Sequence, residues 1–329
     1  MSVERLSLED FRCVARAELD CDPRCNLITG ENASGKTSLL EAIFFLGRGR
    51  SFRSARNELL IRHGASQFSL VARVRQGGIS QPLGLRLSAD GIEARYAGRP
   101  VGGLAELATV LPVQAIDPEV HRLVDGGPQE RRRYLDWGVF HVEPNFVELW
   151  RRYQRALRQR NACLKAGQAN ALVQAWDREL VEAGDAVAQH RVRYLQGLSG
   201  AVRVVGQRLL GADIELSLHQ GWSAERTLAE ALEHSLPRDR ERGLTHAGPH
   251  RADIALRVAG LPARDRVSRG QQKLLAATLL LCSAGPRRSS RRISCTRRSC
   301  RRPRCRVRRA DRTDCRRKAG CRASSTHRS

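Results

Sequence analysis

Eight consecutive residues carry the most specific chemistry in the chain. Gly30-Glu31-Asn32-Ala33-Ser34-Gly35-Lys36-Thr37 fits the pattern G-x-x-x-x-G-K-[ST] at every fixed position. The glycines let the backbone turn its N–H groups inward, where they cradle phosphate oxygens. Lys36 has the reach and charge to meet the β- and γ-phosphates of a nucleotide, and the Thr37 hydroxyl is placed to ligate Mg2+. The flanks agree with this reading. Asn26-Leu27-Ile28-Thr29 predicts a short strand running into Gly30. Leu39, Leu40, Ile43, Phe44 and Leu46 predict a helix from Lys36, closed by Gly47, whose positive N-terminal end adds to the cradle.

A second group lies far downstream. Val267-Ser268-Arg269-Gly270-Gln271-Gln272 resembles the signature motif of ABC-type ATPases. Ser268 fits an N-cap, followed by free N–H groups and a positive helix end. Alone, such a string is an ordinary helix cap; its place after a full phosphate loop favours the signature reading. In that superfamily the tip faces the γ-phosphate held by a second subunit. The resemblance therefore implies a head-to-tail homodimer closed over two nucleotides, with Ser268, Arg269, Gly270 and Gln271 at the shared phosphate. Gly35 and Ser268 are 233 positions apart, much farther than in transport ATPases, which leaves room for an inserted segment.

These residues need elements to position them. Val3–Asp20 predicts a strand pair; residues 67–75, 83–88, 92–96 and 111–116 predict further strands, and Asp117-Pro118 a helix start. From Asn145 to about Gly200, Arg, Gln, Ala and Leu dominate and glycine is scarce, which predicts two long antiparallel helices broken near Lys165–Asn170. Ile214–His219 and Ile254–Val258 return to strand, and Gln271–Cys282 to helix. The expected fold is α/β: an ABC-type P-loop ATPase head of residues 1–144 and 201–284, interrupted by a helical arm at 145–200.

Several ordered strings together resemble the RecF family. They are Asp10-Phe11-Arg12, the phosphate loop, Gly47-Arg48-Gly49-Arg50-Ser51-Phe52-Arg53 and Gln114-Ala115-Ile116-Asp117-Pro118-Glu119. Gly127-Pro128-Gln129-Glu130-Arg131-Arg132, Leu135-Asp136-Trp137-Gly138, Gly248-Pro249-His250-Arg251 and Ser268 to Lys273 continue the series to about residue 284. The resemblance implies a DNA replication and repair protein of the SOS response that binds ATP, dimerises on DNA and helps load recombinase at single-strand gaps. RecR and RecO mediator proteins are its implied partners, with slow, DNA-dependent ATP hydrolysis serving as a switch. Gln114 is implied to be the Q-loop residue that senses Mg2+ and the attacking water; read alone, it is a polar residue at a strand end.

Charge supports a polyanionic partner. The net charge of +24 is uneven: from residue 285 onward there are 18 Lys/Arg against 2 Asp, leaving 40 against 32 for residues 1–284. Arg48, Arg50 and Arg53 follow the phosphate-loop helix, and Arg151, Arg155 and Arg158 share one helix face. Such stripes neutralise DNA phosphates with little sequence preference; a solvated helix face is the plain alternative. Aromatics are 5% of residues, which favours duplex backbone over a stacking platform for unpaired bases; the resemblance implies single/double-strand junctions as well. No apolar run reaches the roughly 18 residues of a membrane helix and no signal-peptide core opens the chain, so the expected address is cytoplasmic. The ten cysteines include no C-x-x-C pair, and neither a zinc site nor a disulfide framework is expected.

An ABC-type ATPase also needs an apolar strand ending in two acids after its signature helix. These Walker B acids are absent. After Leu281 the chain runs into Arg, Ser, Cys and Pro, and residues 285–329 are expected to form a basic, disordered tail. Out-of-frame reading of a GC-rich gene yields this composition; a genuine basic tail is the alternative. Two functional readings follow: a RecF-like ATP-dependent DNA-binding dimer, or a non-catalytic nucleotide- or DNA-binding fragment that cannot hydrolyse ATP. A chromosome organiser of the SMC type would need a far longer coiled coil than 145–200 supplies.

Overall fold

The computed structural model describes residues 1–283. The tail expectation, residues 285–329, lies outside them. The chain divides into two compact units with the boundary at Ala115/Ile116.

The first unit is built on a six-stranded antiparallel sheet in the order β2-β1-β3-β4-β5-β6. Its strands are β1 (Ser2–Phe11), β2 (Val14–Asp20), β3 (Phe68–Gln76), β4 (Ile79–Ser88), β5 (Gly91–Tyr96) and the two-residue β6 (Arg99–Pro100). Alternation decides which face is buried: Phe68, Leu70, Ala72 and Val74 of β3 point inward with Leu6 and Leu8 of β1 and Leu83, Leu85 and Leu87 of β4. Helices α1 (Lys36–Arg48) and α2 (Leu104–Val110) complete this core through Phe45, Leu46 and Leu107. Gly49 ends α1 in the left-handed region, φ 60°, and its N–H caps the Phe45 carbonyl. A Cβ on Gly47 would sit 2.3 Å from the Leu111 carbonyl oxygen, so glycine there lets α1 and the 111–113 segment touch.

Two sequence expectations need correction. Neither Asn26–Thr29 nor residues 111–116 is a strand. A strand needs a ladder partner, and among the described residues neither segment has one. Leu27 is 80% exposed. Just before it the chain is closed locally: Asp22 accepts from the N–H groups of Arg24 and Cys25, and the Asp22 N–H donates to Asn26 Oδ1 at 2.8 Å.

The second unit is mainly helical: α3 (Arg122–Asp125), α4 (Pro128–Val142), α5 (Phe146–Lys165), α6 (Asn170–Gln174) and α7 (Asp177–Leu210), then β7 (Ile214–His219) and α8 (Leu228–Arg242). Strands β8 (Asp253–Val258) and β9 (Leu261–Pro262), α9 (Ala263–Arg266) and α10 (Arg269–Ser283) follow. Helices α5 and α7 bear out the expected pair broken after Lys165, and the long α7 runs past the expected end near residue 200. The segment expected as an arm shares this unit with β7, β8 and α10. Periodicity alone does not reveal helix α8. Its start is a capping box, Thr227 Oγ1 accepting from the Glu230 N–H while Glu230 accepts from the Thr227 N–H. The string Thr227-Leu228-Ala229-Glu230 is its readable signal.

Candidate nucleotide-binding site

The loop from Gly30 to Lys36 is shaped by backbone that side chains resist. Gly30 (φ 155°), Ala33 (φ 64°) and Gly35 (φ 89°) all have positive φ. Ser34 N–H closes on the Glu31 carbonyl at 3.2 Å. A Cβ on Gly30 would lie 2.9 Å from Ser34 Oγ, so a side chain would crowd the loop. Lys36 Nζ donates to the carbonyls of Gly30 and Glu31 at 2.9 and 2.6 Å, placing its charge across the loop mouth. Helix α1 starts with no side-chain cap, so its first N–H groups remain available to an anion. Glu31, Asn32, Ala33, Ser34 and Thr37 are exposed or half-buried. A glycine-closed cradle, uncapped helix N–H groups, one lysine and one hydroxyl suit a Mg2+-nucleotide's phosphates.

Behind the loop, Arg12 and Glu41 form a pair that the sequence did not disclose. Glu41 is fully buried on α1 and accepts from Arg12 Nε at 3.0 Å and Nη2 at 2.8 Å. Ser51 Oγ also donates to Glu41, and Arg53 lies 3.7 Å from it. Arg12 sits at φ 55° in the β1–β2 turn, whose Cys13 and Val14 pack beside Gly35. One carboxylate thus ties the turn, the phosphate-loop helix and the 50–53 segment together. A lone Glu among apolar helix positions was the available clue.

Gln114 and Arg48 meet in the same unit: Arg48 Nη2 donates to Gln114 Oε1 at 3.3 Å and Nε to the Val113 carbonyl at 3.2 Å. Burial, then the Arg50 charge, pushes the Arg48 guanidinium down to about 9. Arg48, over the Phe44 ring at 5.5 Å, braces the Gln114 segment, whereas Arg50 and Arg53 are exposed.

In the second unit Ser268 caps α10 reciprocally with Gln271: Gln271 N–H donates to Ser268 Oγ at 3.3 Å and Ser268 N–H to Gln271 Oε1 at 2.9 Å. Arg269, Gly270 and Gln271 are exposed on the first turn. Arg151, Arg155 and Arg158 are exposed along α5, with buried Tyr153, Ala156, Leu157 and Arg160 on its opposite face.

Among the described residues no group of three His, Cys, Asp or Glu could hold a metal ion, and no helix is long and apolar enough to cross a membrane.

A glycine-cradled loop before α1 and a capped helix start at Ser268, in an α/β frame, belong to the fold of an ATPase head of the ABC type. Residues 2–295 match the family model described as the RecF/RecN/SMC N terminal domain. The chain belongs to the RecF family. It is 41% identical over 281 residues to the DNA replication and repair protein RecF of Shewanella pealeana, covering 85% of this chain and 78% of that protein. It is 42% identical over the same length and coverage to RecF of Shewanella baltica strain OS155. Two solved structures, the recombination mediator protein RecF with ATP and with its analogue ATPrS, match with TM-scores of 0.78 and 0.76 at 25% identity. They cover 86% and 85% of this chain, and 80% of each of those chains.

Proposed function

We propose that this chain is an ATP-dependent DNA-binding protein of replication and recombinational repair, acting in the cytoplasm within the SOS response. The phosphate loop carries the reading: its positive-φ backbone and the Lys36 charge are suited to a nucleotide's phosphates, and relatives of this family have been solved with ATP. In this proposal Gly30 to Lys36 hold the phosphates, and Thr37 and Gln114 hold Mg2+. Ser268, Arg269, Gly270 and Gln271 of a second copy complete the site, making an ATP-dependent homodimer. Arg50, Arg53, Arg151, Arg155 and Arg158 contact DNA backbone at duplexes and strand junctions, with Arg48 as a brace. RecR and RecO are the proposed partners in loading recombinase at gaps. Residues 145–200 act as the arm on the ATPase head.

A second reading is a nucleotide- or DNA-binding protein that does not turn ATP over. It is favoured by the absence of the Walker B acids from the sequence after Leu281. Fluorescent ATP titration and steady-state hydrolysis with gapped DNA separate the two. Lys36→Ala is expected to weaken nucleotide binding at least about tenfold; unchanged affinity overturns the phosphate-loop assignment. Hydrolysis above the Lys36→Ala background supports the first reading, and tight binding without turnover selects the second.

A further inference from the structure

Three of the strings singled out in the sequence have no part in the nucleotide site, and all three meet at one turn of the second unit. Arg131, from the first, makes a two-pronged ion pair with Asp253 at 2.6 and 3.0 Å. Arg132 Nη1 donates to the Ala252 carbonyl at 2.8 Å. Asp136, from the second, takes two hydrogen bonds from fully buried Arg191 at 2.8 and 3.0 Å, and Arg191 Nη1 reaches the Pro249 carbonyl at 2.6 Å. The third string is the turn itself, Gly248-Pro249-His250-Arg251.

The turn is held from several sides. Gly248 has φ 136° and approaches Tyr153 so closely that a Cβ would lie 2.5 Å from its hydroxyl. His250 Nε2 lies 3.0 Å from the Thr245 carbonyl, which can only accept, so Nε2 carries the proton. Nδ1 then accepts from the Tyr153 hydroxyl at 2.5 Å. Burial above all pushes His250 down to about 4, so the ring is neutral and adds no charge.

The charges do not balance. Arg131 and Arg191 are paired with Asp253 and Asp136, but among the described residues Arg132 and Arg251 have no carboxylate within ion-pair distance. Their hydrogen bonds go to the backbone, Arg132 to Ala252 and Arg251 to Thr245 at 3.4 Å. Burial, then Arg191, holds Arg132 below the ordinary arginine range, with Asp253 and Asp136 opposing and Arg251 acting in the same direction. Arg132, anchored on the Ala252 carbonyl, and the exposed Arg251 are two cationic side chains without a carboxylate partner, suited to an oxyanion. Residues 246–253 hold no large hydrophobic residue, so what this turn itself exposes is the Arg251 charge.

We propose that Arg132 and Arg251, mounted at the Gly248–Asp253 turn, bind a backbone phosphate of duplex DNA. This rests on the DNA-binding reading above and adds a contact site to it. The test is fluorescence anisotropy of a labelled duplex with the full chain, across a series of KCl concentrations. Arg251→Gln and the double variant with Arg132→Gln are expected to lower the salt slope by about 0.9, one phosphate's worth, and to weaken binding roughly tenfold. Arg251→Lys keeps the charge and restores the slope. Arg133→Gln, whose native side chain is exposed and paired with Glu130, leaves it unchanged. If Arg132→Gln disturbs folding, seen as a lowered melting temperature, Arg251→Gln alone carries the test. A wild-type chain that does not bind duplex overturns the DNA-binding reading itself. A wild type that binds, with Arg251→Gln keeping its slope, overturns only this site and leaves the pair to an acidic protein partner.

Discussion

At the residue scale, His250 gives the cleanest linkage between structure and pH. Its pKa is depressed from 6.5 to about 4 in the folded chain, chiefly by burial. Between those values the unfolded chain holds more protons than the folded one, so stability rises with pH across that window and is lost as pH falls through it. The expected loss by pH about 4 is of order 2–3 kcal/mol. Urea unfolding of the wild type and of His250→Gln checks it: the wild type should lose stability more steeply between about pH 6.5 and 4. Equal pH profiles would show that His250 is not the group responsible. At this scale the glycine-rich loop before α1, with its positive-φ backbone, was legible because eight local residues encode it. It did not disclose the Arg12–Glu41, Arg160–Asp239 and Arg191–Asp136 pairs. A buried arginine reads as a surface charge until its partner, often more than fifty positions away, is in place.

At the scale of elements, what was legible follows from local periodicity. The β3 alternation, the α1 stripe and the paired helices α5 and α7 each declare themselves within one window of sequence. Asn26–Thr29 failed for a different reason: its apolar pattern is strand-like, but pairing is a property of two segments, and the second cannot be read from the first. The arginines of α5 allow a test of the element as a whole. Replacing Arg151, Arg155 and Arg158 with Ala should weaken DNA binding on all sequences alike. The salt slope should fall by up to about one for each DNA phosphate that is no longer neutralised. Because Tyr153, Ala156, Leu157 and Arg160 hold the opposite face of the helix, the variant should remain folded. A slope equal to that of the wild type would make the stripe a solvated face only.

At the scale of the molecule, the missing acids make a claim about the gene. Suppose Arg297 and Arg298 are both encoded by CGA, with the next codon beginning in T. Reading one base later gives Asp-Asp. Permitted codons for Ile293 to Thr296 give Phe-Leu-Val-Leu in the same frame, an apolar strand before an acidic pair. We predict a one-base shift between about Leu281 and Arg292, tested by sequencing the locus; codons other than CGA at Arg297 and Arg298 would end the proposal. Helix α7 has a consequence of its own. Its 34 residues span about 51 Å at 1.5 Å per residue. Leu180 and Ala183 are buried in one apolar cluster, while Val187, Leu195, Leu198 and Val202 are buried in another. Both clusters therefore share a single rod. A break anywhere along it would be felt by both, so the second unit should open as one cooperative block, with α5 and the start of α7 held while the strands packed on the rod's far end stay closed.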